Sequence, residues 1–370
     1  MPRLSSTSTS AAAAVLAALA VFTVLSTARP AARAGTRVYP GTAWEADPAP
    51  SSPDAVRRHE ALAALLRQGD TSAMLVVIGG RVRFSYGDVG ATSYIASARK
   101  SVVALLYGKY VADRTVRLGA TLRQLGIDDK GGLLPREREA TVADLLAARS
   151  GVYHPAANRG DATDRAPARG SVAPGRYFLY NNWDFNALET ILARATGRSV
   201  YDLVTADLAE PLAFEDWNRT PGAYAAAIRN DTGASDFPAH HLVLSTRDMA
   251  RIGYLMLRHG RWRDRQVVPA AWIARISRTV TPAAEVARTS PFQPGLAYGN
   301  LWWILEGPPF RGTPLEGAYT ASGAYGQFIT VVPRLDLVVA HKTVAPSQRN
   351  VPPDVYLTRI LPQAVALAER

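Results

Sequence analysis

Ser97-Ala98-Arg99-Lys100-Ser101-Val102-Val103-Ala104-Leu105-Leu106 joins a polar head to an apolar run. The apolar residues at 102, 103, 105 and 106 recur at helical spacing, so the pattern predicts a helix that opens at the serine. Ser97 and Lys100, three residues apart, then share one face, one turn from each other. The hydroxyl lies near the positive end of the helix, where developing negative charge is favoured. A lysine amine beside it, partly withdrawn from water, sheds its proton near neutral pH and can take the proton of the hydroxyl. Lysine is scarce in this arginine-rich chain, which has only Lys100, Lys109, Lys130 and Lys342. Ser97 is therefore the candidate nucleophile and Lys100 its candidate base.

Outward from this stretch, the chain alternates between two kinds of pattern. Met74–Ile78 and Arg81–Tyr86 read as short strands around Gly79-Gly80, a hairpin signal. A helix over Pro53–Arg67 precedes them through Leu62, Leu65 and Leu66, and residues 35–52, rich in Pro, Ala and Ser, form an extended lead-in. From about Lys100 to Leu212 the pattern is helical with polar loops. Thr141–Ala148 is a short helix ending at Ser150-Gly151, and Asp184–Ala195 is another, closed near Gly197. Between them, residues 156–175 make a long loop of the kind that carries function in compact domains. Ser245–His259 returns as a helix with Ser245 or Thr246 as its cap. Gly326–Val332 and Leu337–His341 are strand-like, and a last helix runs over Pro353–Leu367.

At 370 residues and 48% hydrophobic, the chain has core for one large domain or two intimately joined ones. Its first 34 residues read as a secretory signal: Arg3, an apolar run from Ala11 to Leu25, and a small-x-small site at Ala32-Arg33-Ala34. That run is short for a spanning helix, so cleavage rather than stable membrane insertion is expected, with a secreted or periplasmic product. There is no cysteine, hence no disulfide, thiolate nucleophile or lipid-attachment site, which suits an exported bacterial protein. The formal charge of +11 becomes +8 once Arg3, Arg29 and Arg33 leave with the signal. The arginines are scattered without a basic block or nucleic-acid module, so no nucleic-acid partner is expected.

Two later stretches supply partners for the serine. Tyr180-Asn181-Asn182 follows the Pro174-Gly175 turn and leads into a helix. A tyrosine beside a lysine ammonium has its phenol pKa lowered and can shuttle a proton, while an asparagine amide can bond both the lysine and a substrate carbonyl. Tyr180 and Asn182 are thus the candidates. Tyr298-Gly299-Asn300 has the same spacing but runs into a strand-like segment and ranks behind. Thr320–Phe328, with Ser322, Gly323 and Ala324, leads into the late strand with residues small enough for close substrate approach. A backbone N–H here, with that of Ser97, would make an oxyanion hole. There is no G-x-S-x-G elbow and no H-E-x-x-H spacing; His154, His240 and His241 read as structural or loop residues, the last two at a cleft border.

Together these stretches resemble the β-lactamase-related serine hydrolases, the superfamily of class C β-lactamases, D-Ala-D-Ala peptidases and family VIII esterases. The narrower resemblance is to the 6-aminohexanoate-dimer hydrolase-like group. It is carried by Ser97-x-x-Lys100-Ser101, by Leu145-Leu146-Ala147-Ala148-Arg149-Ser150-Gly151-Val152-Tyr153-His154-Pro155, by Tyr180-Asn181-Asn182-Trp183-Asp184-Phe185-Asn186-Ala187-Leu188 and by Ser245-Thr246-Arg247-Asp248-Met249-Ala250-Arg251. The likeness runs over roughly residues 55 to 368. It implies an α+β fold, an antiparallel sheet flanked by helices with a mostly helical inserted subdomain: residues 35–96 plus 236–370 around residues 97–235, with the site in the groove between them. It also implies Ser97 as acyl acceptor, Lys100 as base or base-orienting partner, Tyr180 as shuttle and Asn182 as substrate contact. The departure is Ala321-Ser322-Gly323, where β-lactamases carry Lys or His before Thr or Ser and Gly. Lys342-Thr343-Val344 does not replace that motif, since it follows the next strand and lacks the glycine.

The function expected is an exported serine hydrolase that cleaves a small amide or ester through an acyl-serine, with no cofactor. The alternatives are a D-Ala-D-Ala peptidase or penicillin-binding protein, and a catalytically weak envelope binding protein of the same fold.

Overall fold

A computed structural model describes residues 38–158, 163–219, 230–290, 293, 295–343 and 350–369. The predicted signal segment lies outside them. Helix α1 (Pro53–Gln68) starts at a Ser52 cap, with proline in its first turn, and buries Leu62 and Leu66. The hairpin β1 (Ala73–Ile78) and β2 (Arg81–Gly87) turns at Gly79 and Gly80, both at positive φ. A two-residue strand β3 (Ser93–Tyr94) then delivers the chain to α2 (Ala98–Ala112).

The middle of the chain is helical. Short α3 (Val142–Leu146) opens with a Thr141–Asp144 capping box, and α4 (Asn182–Thr196) is capped by Asn181 and closed by left-handed Gly197. Then follow α5 (Val200–Val204), α6 (Glu210–Leu212), β4 (Val243–Leu244) paired to β3, and α7 (Thr246–Leu257), whose cap is Ser245.

The last third returns to the sheet. After a small hairpin, β5 (Arg261–Trp262) with β6 (Arg265–Gln266), come α8 (Ala270–Ile276) and α9 (Ala283–Thr289). Strands β7 (Leu296–Tyr298), β8 (Trp303–Leu305), β9 (Tyr319–Gly323), β10 (Gln327–Val332) and β11 (Leu337–Lys342) join the N-terminal hairpin in one antiparallel sheet. Its order is β2-β1-β11-β10-β9-β8-β7. The helical pattern at the C-terminus is one element with a π-helical turn, Tyr356–Ile360, between Pro353–Val355 and Leu361–Ala366.

Both sheet faces are covered, which is why β9, β10 and β11 read as continuous buried runs. On one face α7 lies so close that a Cβ on Gly253 would stand 2.5 Å from Val338 Cγ1. On the other, Tyr356 of the C-terminal helix stacks on Phe328 at 3.9 Å between centroids. Helix α2 lies against the β9 end of the α7 face: a Cβ on Gly323 would stand 2.4 Å from Ile95 O and 3.0 Å from Ala98 N. No helix among the described residues is long and apolar enough to cross a membrane.

Candidate active site

Helix α2 is set by its neighbours rather than by a cap. Ser97 occupies the cap position without a side-chain capping bond, which leaves its hydroxyl available. The turn before it is tight: Ala96 sits at φ +48, a conformation that costs an alanine about 1 kcal/mol or more and recurs at sites where one side chain must be aimed. Ser97 is half-buried, while Ser101, one turn on, is buried and donates to Leu301 O at 2.6 Å. Of the two motif serines, only Ser97 reaches the cavity.

Lys100 is buried and central. Its Nζ lies 3.2 Å from Ser97 Oγ, 2.7 Å from Tyr180 OH and 2.6 Å from Asn182 Oδ1. The same nitrogen stands 4.4 Å from the centroid of the Phe185 ring.

Tyr180 and Asn182 reach the lysine because two motif stretches interlock. Leu179 N donates to Ala148 O at 3.0 Å, and Asn181 Nδ2 to Val152 O at 2.6 Å. Ser150 Oγ donates to Asp184 Oδ1 at 2.6 Å, and Val152 N to Ser150 Oγ at 2.9 Å. The capping task at α4 falls to Asn181, whose Oδ1 accepts from Trp183 N. That frees Asn182, the first helical residue, to turn its amide to Lys100. Tyr180 is fixed as a plate, stacked on Trp303 at 5.4 Å and 28° and touching Phe185 and Tyr298. Tyr298, of the second Y-x-N, is buried among these rings, and burial pushes its phenol well above the ordinary range.

The third stretch meets the other two. Ser97, Tyr180, Trp303, Ser322, Gly323 and Ala324 line a cavity of about 300 Å³. Gly323 is the residue through which β9 touches the turn before Ser97, so its missing Cβ permits this wall. Ser322 Oγ accepts from Gln293 Nε2 at 3.3 Å. Ala321 is fully buried and does not line the cavity. Lys342 lies two strands away at the end of β11. Burial lowers its pKa to about 7, and its Nζ donates to Leu244 O.

The histidines serve elsewhere. His154 bonds Lys130 O and Pro155 O, His240 bonds Glu189, and buried His241 packs edge-on against Tyr94. None of the three lines the cavity. Among the described residues no group of three or more His, Asp or Glu side chains is placed to hold a metal ion.

Three groups escaped the sequence reading. Arg99 and Glu189 form a buried pair behind Lys100. Asp129 is a hub that accepts from Trp183 Nε1 at 2.7 Å, Ser235 Oγ at 2.5 Å and Asp236 N at 2.7 Å. Arg165, from the long loop, reaches the cavity wall. The only signal for Arg99 was a charge inside an apolar helical run, which demands a buried partner.

The comparisons agree with this geometry. Searched by sequence, no curated protein matches the chain. Among solved structures, a Bacillus anthracis protein named for 6-aminohexanoate-dimer hydrolysis superposes with a TM-score of 0.63 at 19% identity, over 88% of this chain and 87% of that one. A family VIII carboxylesterase gives a TM-score of 0.63 at 14% identity, over 86% and 99% of the two chains. A penicillin-binding protein homologue from Caulobacter crescentus gives 0.57 at 13%, over 87% and 98%. At such identities the likeness is one of fold. The family profile described as Beta-lactamase matches residues 62–350, most of the chain and every residue of the cavity wall named above. With the sheet order, the buried lysine and that match together, the chain belongs to the Beta-lactamase family, within the β-lactamase-related serine hydrolases.

Proposed function

We propose that the protein hydrolyses a small amide or ester through an acyl-Ser97 intermediate. The observation that carries this reading is the single nitrogen, Lys100 Nζ, within hydrogen-bond reach of both Ser97 Oγ and Tyr180 OH. In the acylation step Ser97 Oγ attacks the carbonyl carbon while its proton passes to the neutral amine of Lys100. The carbonyl π electrons move to oxygen, and the backbone N–H groups of Ser97 and Ala324 hold the oxyanion. Collapse breaks the bond to the leaving group, which takes a proton from Tyr180 OH, and Lys100 returns its proton to the phenolate. A water then attacks the acyl-serine, deprotonated by the same pair, and frees acid and serine. Asn182 orients the lysine; it is buried and does not line the cavity, its Oδ1 accepting from Lys100 Nζ while its Nδ2 donates to Asn158 O, so the substrate contact expected of it is not made here.

Ala321 stands where the resembling enzymes hold a carboxylate with a strand cation, so this chain lacks their usual contact for a cell-wall or β-lactam substrate. The signal-like first 34 residues support export of the mature enzyme. The test is turnover of a short-chain ester, the linear 6-aminohexanoate dimer and a penicillin by residues 35–370, beside Ser97→Ala. Ester or amide hydrolysis lost in Ser97→Ala, without a stable penicillin adduct, is expected. A lasting penicillin adduct on Ser97 would move the protein to the penicillin-binding class. Folded protein with neither turnover nor adduct would make it a binding protein.

A further inference from the structure

The cavity wall carries one arginine. Arg165, in the long loop, lines the same space as Ser97, Tyr180 and Ser322, and it is the one basic residue of that wall among the described residues. Its guanidinium is held from behind, Nη1 donating to Arg288 O at 3.3 Å. That anchor, at the end of α9, orients the fork and leaves most of its five N–H donors uncommitted. The adjacent acid pairs with it only loosely: Asp164 Oδ2 is 3.9 Å from Nε, and the Asp164 side chain is 76% exposed to water. Asp164 is the one acid of the wall among the described residues, and the wall's other polar residues, among them Thr289, Ser290, Gln293, Ser322 and Asn350, are neutral. At the β9 position where a strand cation would stand, Ala321 is apolar and buried.

From this arrangement we infer that Arg165 is the specificity-determining residue of the cavity, and that the substrate is an amide or ester that carries a carboxylate. The guanidinium matches a carboxylate with two parallel N–H bonds, and with its side chain 39% exposed it sits at the cavity mouth, where an entering anion meets it. The chain has thus placed its anion-reading charge on a loop of the helical segment instead of on the sheet. This inference rests on the hydrolase reading above for the word substrate, but the recognition itself is a matter of binding.

Two measurements separate the inference from that reading. First, kcat/KM is measured for 4-nitrophenyl butyrate, for mono-4-nitrophenyl glutarate (carboxylate on the acyl half), and for the butyrate ester of 5-hydroxy-2-nitrobenzoate (carboxylate on the leaving half). One of the two anionic esters is expected to be preferred over the neutral one, and Arg165→Ala to lower kcat/KM for that ester about tenfold or more, mainly through KM. The neutral ester should change less than twofold, with Arg165→Lys intermediate and Arg165→Glu worse than alanine. Second, binding of glutarate monoanilide and of butyranilide to Ser97→Ala is compared with binding to Ser97→Ala/Arg165→Ala. Tighter binding of the anionic anilide, lost with Arg165, is expected, and it would stand even if no ester were turned over. Equal effects of Arg165→Ala on neutral and anionic compounds, or a preference for an ester bearing an ammonium group, would overturn the inference while leaving hydrolysis intact.

Discussion

Arg99 and Glu189 meet as a fully buried ion pair between α2 and α4, one residue from the lysine at the centre of the site. Arg99 Nη2 also donates to Asn186 Oδ1 at 3.0 Å, and Glu189 Oε2 accepts from both His240 N and His240 Nδ1 at 2.9 Å. The pair fixes how α2 sits against α4, and that register is what brings Lys100 to Asn182. Glu189→Ala leaves a guanidinium buried without its counter-charge, so it should cost about 3–5 kcal/mol of stability. Urea denaturation reads this directly. The double variant Arg99→Met/Glu189→Leu should recover more than half of the loss, because the burial penalty goes with the charges. A single variant within about 1 kcal/mol of wild type would show that the pair holds nothing in place.

Lys100→Met and Tyr180→Phe remove the proposed proton-transfer groups and little packing. Each should lower kcat about 10²-fold or more at near-constant KM, and leave the melting temperature within a few degrees. Wild-type single-turnover acylation in either variant would take that residue out of the chemistry.

Gly323→Ala tests the contact between β9 and the turn before Ser97. The added methyl would stand 2.4 Å from Ile95 O, a backbone atom that cannot rotate away. Strand and turn must separate, so kcat/KM should fall at least about tenfold and stability by about 1–3 kcal/mol. Unchanged kinetics would show that this wall does not shape the site.

His341 gives the fold a pH dependence of known sign. It is buried with Nδ1–H donating to Gly326 O and Nε2 accepting from Thr71 Oγ1, both at 2.8 Å, so the neutral ring is already satisfied. Burial lowers its pKa from 6.5 to about 4. The unfolded chain therefore binds the proton more tightly than the folded one. The stabilisation from His341 is complete above pH 6.5 and is lost as pH falls toward 4, amounting to about 2–3 kcal/mol by pH 4.5. Denaturation of wild type and His341→Leu at pH 7 and pH 4.5 should show a shallower fall for the variant. Parallel falls would contradict the assignment.

What the sequence made legible was local or carried by motifs. Pro53, Leu62 and Leu66 marked α1 to within a residue, Gly79-Gly80 marked the hairpin, and Ser245 marked the start of α7. Ser97, Lys100, Tyr180 and Asn182 were singled out by spacing and resemblance, and the structure brings the serine, tyrosine and asparagine within hydrogen-bond reach of the lysine nitrogen. What stayed hidden depended on long-range pairing. Residues 38–42 read only as an extended lead-in, yet Tyr254 and Arg251 bond their carbonyls from more than 200 residues away. No periodicity announces such partners. The π turn at Tyr356–Ile360 was invisible because its apolar spacing fits an ordinary helix as well. Arg165 looked like one arginine among many until the loop placed it in the cavity wall.

The central claim is that Ser97 carries the acyl group. The most direct measurement is rapid-quench intact mass after mixing with 4-nitrophenyl butyrate, followed by peptide mapping of the acylated protein. The account predicts one butyryl group per chain, mapped to the peptide at Ser97, slower to form in Lys100→Met and absent in Ser97→Ala. Hydrolysis of the ester with no acyl group on Ser97, or an acyl group mapped to another residue, would contradict it.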